Sequence, residues 1–215
     1  MTTPPRAARD ALGHTGQCLL AFAVLRLVIA QGPDSKLGRL DQAVIKLLGN
    51  GRRPAAVGAA RALSGLAEPG LAAASLAVAA VIAARHDRWR TAVTPCLAVA
   101  AGARVRRLLS RAVARPRPPE DLWLTEPEGF SLPSKHTSVA ALTAGACAAS
   151  IGVGRRTRHG ATLLAAASVG ASRVYLGVHW PSDVLAGWLF AEGWLHLADA
   201  CQDFYRLFTP GQRLP

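Results

Sequence analysis

Along the chain, apolar residues gather into six stretches, at 17–30, 69–84, 92–103, 136–153, 161–177 and 184–200, separated by segments rich in Arg, Pro and Gly. A helix that spans a bilayer needs roughly 20 predominantly apolar residues, and several stretches fall short of that. Flanking Arg and Trp extend them, because long amphipathic side chains reach the interface while their stems stay among apolar groups. The pattern therefore predicts an all-α, six-transmembrane-helix bundle. Between the first two stretches, Leu40, Val44, Leu47 and Leu48, then Val57, Ala60, Leu63 and Leu66, recur at helical spacing among charged residues. They predict short helices lying along the membrane surface. The whole of 1–215 reads as a single integral-membrane domain that begins with an N-terminal tail over 1–15.

Composition fits this picture: 51% hydrophobic and 18% charged residues, with a mean hydropathy of +0.22, are more apolar than an ordinary soluble domain. Lys and Arg number 25 against 13 Asp and Glu, a net charge of +12, which suits nucleic acid, anionic lipid or an anionic substrate. The Arg clusters flank apolar stretches and lack interleaved aromatic residues, so no nucleic-acid partner is expected. Cys18, Cys96, Cys147 and Cys201 stand singly, without metal or redox spacing, and read as small core residues. No small-residue cleavage site follows the early apolar run, so the first helix is expected to stay.

Arg85, Arg88 and Arg90 lie between the second and third stretches, and Arg155, Arg156 and Arg158 between the fourth and fifth. In a six-helix zigzag both groups fall on one side. The positive-inside rule makes that side cytoplasmic, together with both termini. The opposite side receives a long connection over 104–135, which is also Arg-rich. A site there for an anionic substrate accounts for the exception.

Three clusters converge on that outer side. The first is Arg104, Arg106, Arg107 and Arg111, followed by Arg115-Pro116-Arg117-Pro118-Pro119, a helix end running into a proline-fixed extended segment. Guanidinium forks suit phosphate oxygens, although the same residues also fit plain contacts with lipid headgroups. The second, Ser131 to Ser138, places Ser134, Lys135 and His136 at the start of the fourth stretch, where free helix N–H groups and the helix dipole favour an anion. The third is Ser172-Arg173, then His179, then Asp183. Pro181 predicts a helix start there, with Asp183 one turn beyond His179 on the same face. An Asp that accepts from one imidazole nitrogen leaves the other free to attack. Glu192, His196 and Arg26 read as polar contacts between helices. His14, His86 and His159, near the ends of the stretches, are expected to face water or headgroups.

In this order the clusters, all within 104–187, resemble the tripartite signature of the type 2 phosphatidic-acid phosphatase superfamily, which shares its fold with vanadium haloperoxidases. The pattern is Lys, six residues, Arg-Pro; then Pro-Ser-Gly-His; then Ser-Arg, five residues, His, three residues, Asp. The third block matches at every defined position. In the second, Pro133, Ser134 and His136 match while Lys135 stands where the pattern has Gly. In the first, Arg117-Pro118 matches but Ser110 stands where the Lys belongs. Lys135, or Arg111 beside the vacant place, is the candidate for the missing cation.

The resemblance implies a lipid phosphate phosphatase that needs no metal or other cofactor. His179 is then the nucleophile that forms a phosphohistidine, Asp183 its orienting partner, and His136 the general acid. Arg117, Arg173, Ser134 and Lys135, with Arg111 and Arg115 as further candidates, would bind phosphate. Polyprenyl phosphates or diphosphates and glycerolipid phosphates all fit as substrates. The Ala- and Arg-rich composition points to a bacterial plasma membrane and its envelope lipids. Two other readings stay open at this level: a lipid phosphotransferase working through the same phosphohistidine, and a non-catalytic lipid-binding or transport protein.

Overall fold

The computed structural model of the protein describes residues 6–86 and 89–208, and all regular structure among them is helical. In chain order the helices are α1 (Arg6–Ile29), α2 (Lys36–Gly49), α3 (Pro54–Gly65), α4 (Pro69–Arg85), α5 (Trp89–Val113), α6 (Lys135–Ser150), α7 (Arg155–Tyr175) and α8 (Pro181–Phe208). A single 3-10 turn, Glu120–Leu122, interrupts the connection from α5 to α6. Each apolar stretch centres on one helix (α1, α4, α5, α6, α7 and α8), and the two helices expected between the first stretches are α2 and α3.

Helix hydropathy by itself does not carry the count of six spans. Among the described residues, α1 alone is long and apolar enough to cross a bilayer, and α3 with α4, bent by 54° at the break between them, passes together as a second candidate. The reason is polar content and length: α5, α7 and α8 carry Arg, Asp or Glu within them, and α6 has 16 residues.

Local chemistry sets the helix ends. Ser35 caps α2 by accepting from the Gly38 N–H at 3.0 Å, and Pro54, Pro69 and Pro181 occupy first positions, where a missing N–H costs nothing. The expected tail is shorter than 1–15, because α1 already runs from Arg6 and buries Ala8, Ala11 and Thr15. Positions 1–5 lie outside the described residues. Helix α5 likewise continues to Val113, so the long connection to α6 is 114–134. Its last turns are amphipathic, with Arg106 and Ser110 buried and Arg104, Arg107 and Arg111 exposed. Of the charges read between the second and third stretches, Arg88 lies outside the described residues, as does the side chain of Arg90.

Helix α6 is the centre of the bundle, packed by α7, α5, α8 and α4, while α1 lies along α8 and α3 leans on α7. The core is built from small residues, Ala141, Ala146, Ala166, Ala186 and Ala191, around Leu142, Phe190 and Leu195. Large apolar side chains such as Leu20, Leu27, Leu97 and Leu164 point outward. This reverses the arrangement of a water-soluble bundle and matches helices that pack through small residues and present Leu and Val to lipid. Gly170 of α7 marks the tightest convergence, since a Cβ there would strike Val184 of α8 and approach Thr137 of α6. The starts of α6 and α8 and the end of α7 therefore meet at one end of the bundle.

The opposite end is more ordered by ion pairs than the loop reading anticipated. Arg158 is buried and pairs with Asp199, and Arg155 lies 3.5 Å from Asp203. Buried Glu192 engages Thr162 and lies 3.2 Å from His159 Nδ1 and 3.7 Å from His196 Nε2, so it bridges α7 and α8 as a polar contact. His14 stacks on His196 with ring centres 5.0 Å apart, which ties α1 to α8. His14 and His159 therefore engage the bundle in addition to facing outward. Arg26 lines a cavity of about 430 Å³ between α1, α2 and the end of α5. The cysteines are unpaired, with Cys201 exposed and the others half-buried, so Cys201 is not a core residue.

Candidate active site

The turn from α7 into α8 holds His179. Gly177 adopts φ +77°, and a Cβ there would collide with the Leu122 carbonyl, so the turn needs glycine for both its backbone and its packing. His179 follows, outside the helix and fully buried. Asp183 is not one helical turn beneath it, as the spacing predicted. It occupies the first turn of α8 and reaches back, accepting from the Trp180 N–H at 2.9 Å in the manner of a capping-box acid. The same oxygen, Oδ2, lies 3.4 Å from His179 Nδ1. The imidazole thus turns Nδ1 toward Asp183 and Nε2 away from it.

Nε2 meets Arg117, whose Nη1 lies 3.1 Å away and also donates to the Val178 carbonyl at 2.6 Å. Arg117 Nε and Nη2 donate to the carbonyls of Gly129, Glu128 and Phe130, at 2.9, 2.8 and 3.1 Å. One guanidinium therefore fixes the loop before α6 against the histidine. Arg117, Arg173, His136 and Lys135, with Glu68, Thr125, Glu126 and Glu128, line a cavity of about 100 Å³. Arg173 donates through Nη1 to Ser64 Oγ at 2.7 Å, while its Nε and the Nδ1 of His136 are buried without a hydrogen-bond partner among the described residues. Arg173 Nε is thus a buried donor left open, which a bound oxyanion would satisfy, whereas His136 Nδ1, with Nε2 turned to the Glu68 carboxylate, is an acceptor in the neutral ring and donates only when the ring is protonated.

The remaining sequence-predicted residues take different places. Ser134 is wholly buried as the cap of α6, its Oγ accepting from the Thr137 N–H at 3.4 Å and the Thr137 hydroxyl at 2.9 Å, and it does not line the cavity. Arg115, a candidate phosphate ligand, lies behind the histidine, where Nη1 meets Asp183 Oδ1 at 2.5 Å and Nη2 meets Asp41 Oδ2 at 2.9 Å. Its charge is engaged by carboxylates. Lys135 Nζ pairs with Glu128 at 3.0 Å and lines both the small cavity and an adjoining groove of about 700 Å³. Arg111 and Ser110 line the groove only. Of the two candidates for the missing cation, Lys135 is thus the one beside Arg117, Arg173 and His136.

Helices α2 and α3, with the residue before α4, supply contacts that sequence reasoning had given no part. Asp41 of α2 and Ser64 of α3 reach the site residues directly, and Glu68, just before α4, lies 3.1 Å from His136 Nε2. Arg52 and Arg61 donate to the carbonyls of Leu122 and Leu124, at 2.6 and 2.8 Å, pinning the connection from α5 to α6. No local motif marks these residues. The one available signal was that acidic Asp41 falls on the apolar side of an amphipathic helix.

Burial pushes the His179 imidazole down to about 4, with Asp183 pulling the other way and Arg117 and Arg173 adding to the fall. The ring is therefore neutral near pH 7, as a nucleophile requires. Burial also lowers Arg117, while Asp183 opposes it. Hydrogen bonding to Lys135 and its charge hold the Glu128 carboxyl below its usual range. Among the described residues, no three His, Cys, Asp or Glu side chains come together in a way that could hold a metal ion.

Residues 91–205, more than half of the chain, match the family model described as the PAP2 superfamily, and the chain belongs to that superfamily. The fold is shared with a solved structure described as the first transmembrane PAP2 type phosphatidylglycerolphosphate phosphatase from Bacillus subtilis. That structure is 20% identical, with a TM-score of 0.72 over 94% of this chain and 98% of the other. No curated protein matches the chain in sequence.

Proposed function

We propose that the protein is an integral-membrane lipid phosphate phosphatase that works through a phosphohistidine on His179. The observation that carries this reading is the placement of His179 Nε2, 3.1 Å from Arg117 and turned away from Asp183, beside a cavity lined by Arg173, His136 and Lys135. Phosphoryl transfer asks for positioning and for neutralisation of the equatorial oxygens, and three cations in one small cavity supply both.

In the first step the Nε2 lone pair attacks phosphorus. The P–N bond forms, the bond from phosphorus to the lipid oxygen breaks, and the leaving oxygen takes a proton from His136. Asp183 stabilises the positive charge that appears on the His179 ring. In the second step water attacks phosphorus, the P–N bond breaks, and His136 receives the proton that water gives up. Inorganic phosphate and the free lipid alcohol, or the lipid monophosphate where the substrate is a diphosphate, are the products. No step calls on a metal.

The groove beside the cavity favours a lipid substrate. Its walls are Ala72, Ala73 and Leu76 of α4 and Val99, Ala100 and Ala103 of α5, and Glu128 and Lys135 border both spaces. A chain lying there would keep its headgroup at the cations without leaving the bilayer. The outward-facing Leu and Val side chains support six membrane-crossing helices with α2 and α3 at the surface. By the positive-inside rule the site then faces the outside of a bacterial plasma membrane, with cytoplasmic termini. The test is phosphate release by detergent-solubilised protein from a panel of polyprenyl and glycerolipid phosphates in the presence of a chelator. Release by the wild type that is lost in His179→Ala is expected; equal release by both overturns the proposal.

A further inference from the structure

One buried carboxylate near the site has no part in the chemistry above. Asp41, on α2, is 1% exposed. Its Oδ1 accepts from the Ser182 N–H at 3.0 Å, and its Oδ2 accepts from the Ser182 hydroxyl and from Arg115 Nη2, the latter at 2.9 Å. Arg115 passes the connection on, with Nη1 donating to Ser182 Oγ at 2.8 Å and to Asp183 Oδ1 at 2.5 Å. The guanidinium is therefore shared between two carboxylates, one on a surface helix and one against the nucleophile. We propose that Asp41 is a positioning residue: through Arg115 and Ser182 it fixes the start of α8 and keeps the charge of Asp183 directed at His179.

The argument is electrostatic as well as geometric, and it rests on the reading of His179 as nucleophile. A guanidinium held by Asp183 alone would draw that carboxylate's charge to itself, and the imidazolium formed in the first step would lose its support. With Asp41 on the other side, two carboxylates face one guanidinium and a net negative charge remains for the ring. Geometry adds a second effect. Asp41 satisfies a free N–H at the start of α8, the same turn that places Asp183 Oδ2 on the Trp180 N–H and near Nδ1. A carboxylate fully buried beneath an amphipathic helix is costly unless paired, and here both oxygens are engaged.

The charged and titratable groups facing His179 are Asp183 of α8, Arg117 of the connection from α5 to α6, Arg173 of α7 and His136 of α6, and Asp41 acts on the ring only through Arg115. Asp41→Asn retains an acceptor for Ser182 and removes the charge. We expect kcat to fall about 10- to 100-fold with KM changed less than about twofold. The acid limb of kcat/KM should move to lower pH, because Arg115 then bears wholly on Asp183. Arg115→Gln removes the opposing charge and should move the same limb to higher pH, which keeps the proposal testable should Asp41→Asn fail to fold. A tether that merely holds α2 to α8 would lower thermal stability and shift neither limb. Unchanged kcat and an unmoved limb in Asp41→Asn, or an unmoved limb in Arg115→Gln, overturns the proposal. His179→Ala, assayed alongside, separates the two failures: if it is inert while Asp41→Asn behaves as wild type, the nucleophile stands and only the role of Asp41 falls.

Discussion

Arg117 Nη1 lies 3.1 Å from the Nε2 of His179, the ring nitrogen turned away from Asp183. A guanidinium only donates, so Nε2 must present its lone pair and Nδ1 must carry the proton that faces Asp183. The structure thereby selects one tautomer of His179, and the Arg that selects it also lines the small cavity.

Asp183→Asn should remove the charge that faces Nδ1 while keeping an acceptor for the Trp180 N–H, since one oxygen, Oδ2, serves both. The imidazolium formed on attack then loses its support, and the amide NH2 is set against the Arg115 guanidinium. The expected loss in kcat is about 10³- to 10⁴-fold, by analogy with orienting carboxylates elsewhere. Steady-state kinetics with a parallel thermal unfolding curve checks it; a small loss in activity with a large loss in stability would assign Asp183 to the fold alone.

The pH dependence follows from the burial of His179. With the imidazole pushed down to about 4, the neutral nucleophile persists well below the pH at which an exposed histidine would be protonated. The acid limb of kcat/KM, corrected for the substrate's own second ionisation at about pH 6, should therefore lie near pH 4, with activity lost as pH falls through it. In Arg117→Ala the limb should move upward, since the Arg charge helps to depress the ring. A limb near 6.5 in the wild type would contradict this.

Lys135 and Arg111 make different predictions. Lys135 borders the small cavity, so Lys135→Gly should lower kcat/KM by roughly 10- to 100-fold, the scale of one electrostatic contact at a transition state. Arg111 lines only the groove, and Arg111→Ala should change kcat/KM by less than about fivefold, mostly through KM. Phosphate-release kinetics on both variants decides between them, and the reverse ranking would place the compensating cation on α5.

The groove predicts a dependence on chain length. Ala100→Trp should raise KM for long-chain lipid phosphates about tenfold by filling the space between α4 and α5. A short water-soluble phosphate ester should be unaffected. Equal effects on both substrates would mean that the groove does not hold the chain.

Much of this architecture could be read in the chain because membrane helices announce themselves through local composition. The six apolar stretches and the two helices expected between the first of them correspond to helices, and Pro181 marks the start of α8. The span count was less legible, because α5, α7 and α8 carry charges that lower their hydropathy, some of them paired, as Arg158 is with Asp199. At the site, His179, Asp183, His136, Arg117 and Arg173 come together from three separate blocks of sequence. Ser134 and Arg115 belong to the same blocks but serve as a cap and as a carboxylate partner, a distinction that only packing makes. Asp41, Ser64 and Glu68 had no local signal, since their roles depend on α2, α3 and the start of α4 folding over the end of the bundle.

The central claim is that phosphate passes through His179. The most direct measurement is a rapid alkaline quench of the protein mixed with its best lipid phosphate, labelled in the terminal phosphate, followed by mapping of the label. An acid-labile, alkali-stable label on the peptide that contains His179, absent in His179→Ala, is predicted. Phosphate release at the wild-type rate with no label on that peptide, or with undiminished turnover in His179→Ala, would contradict it.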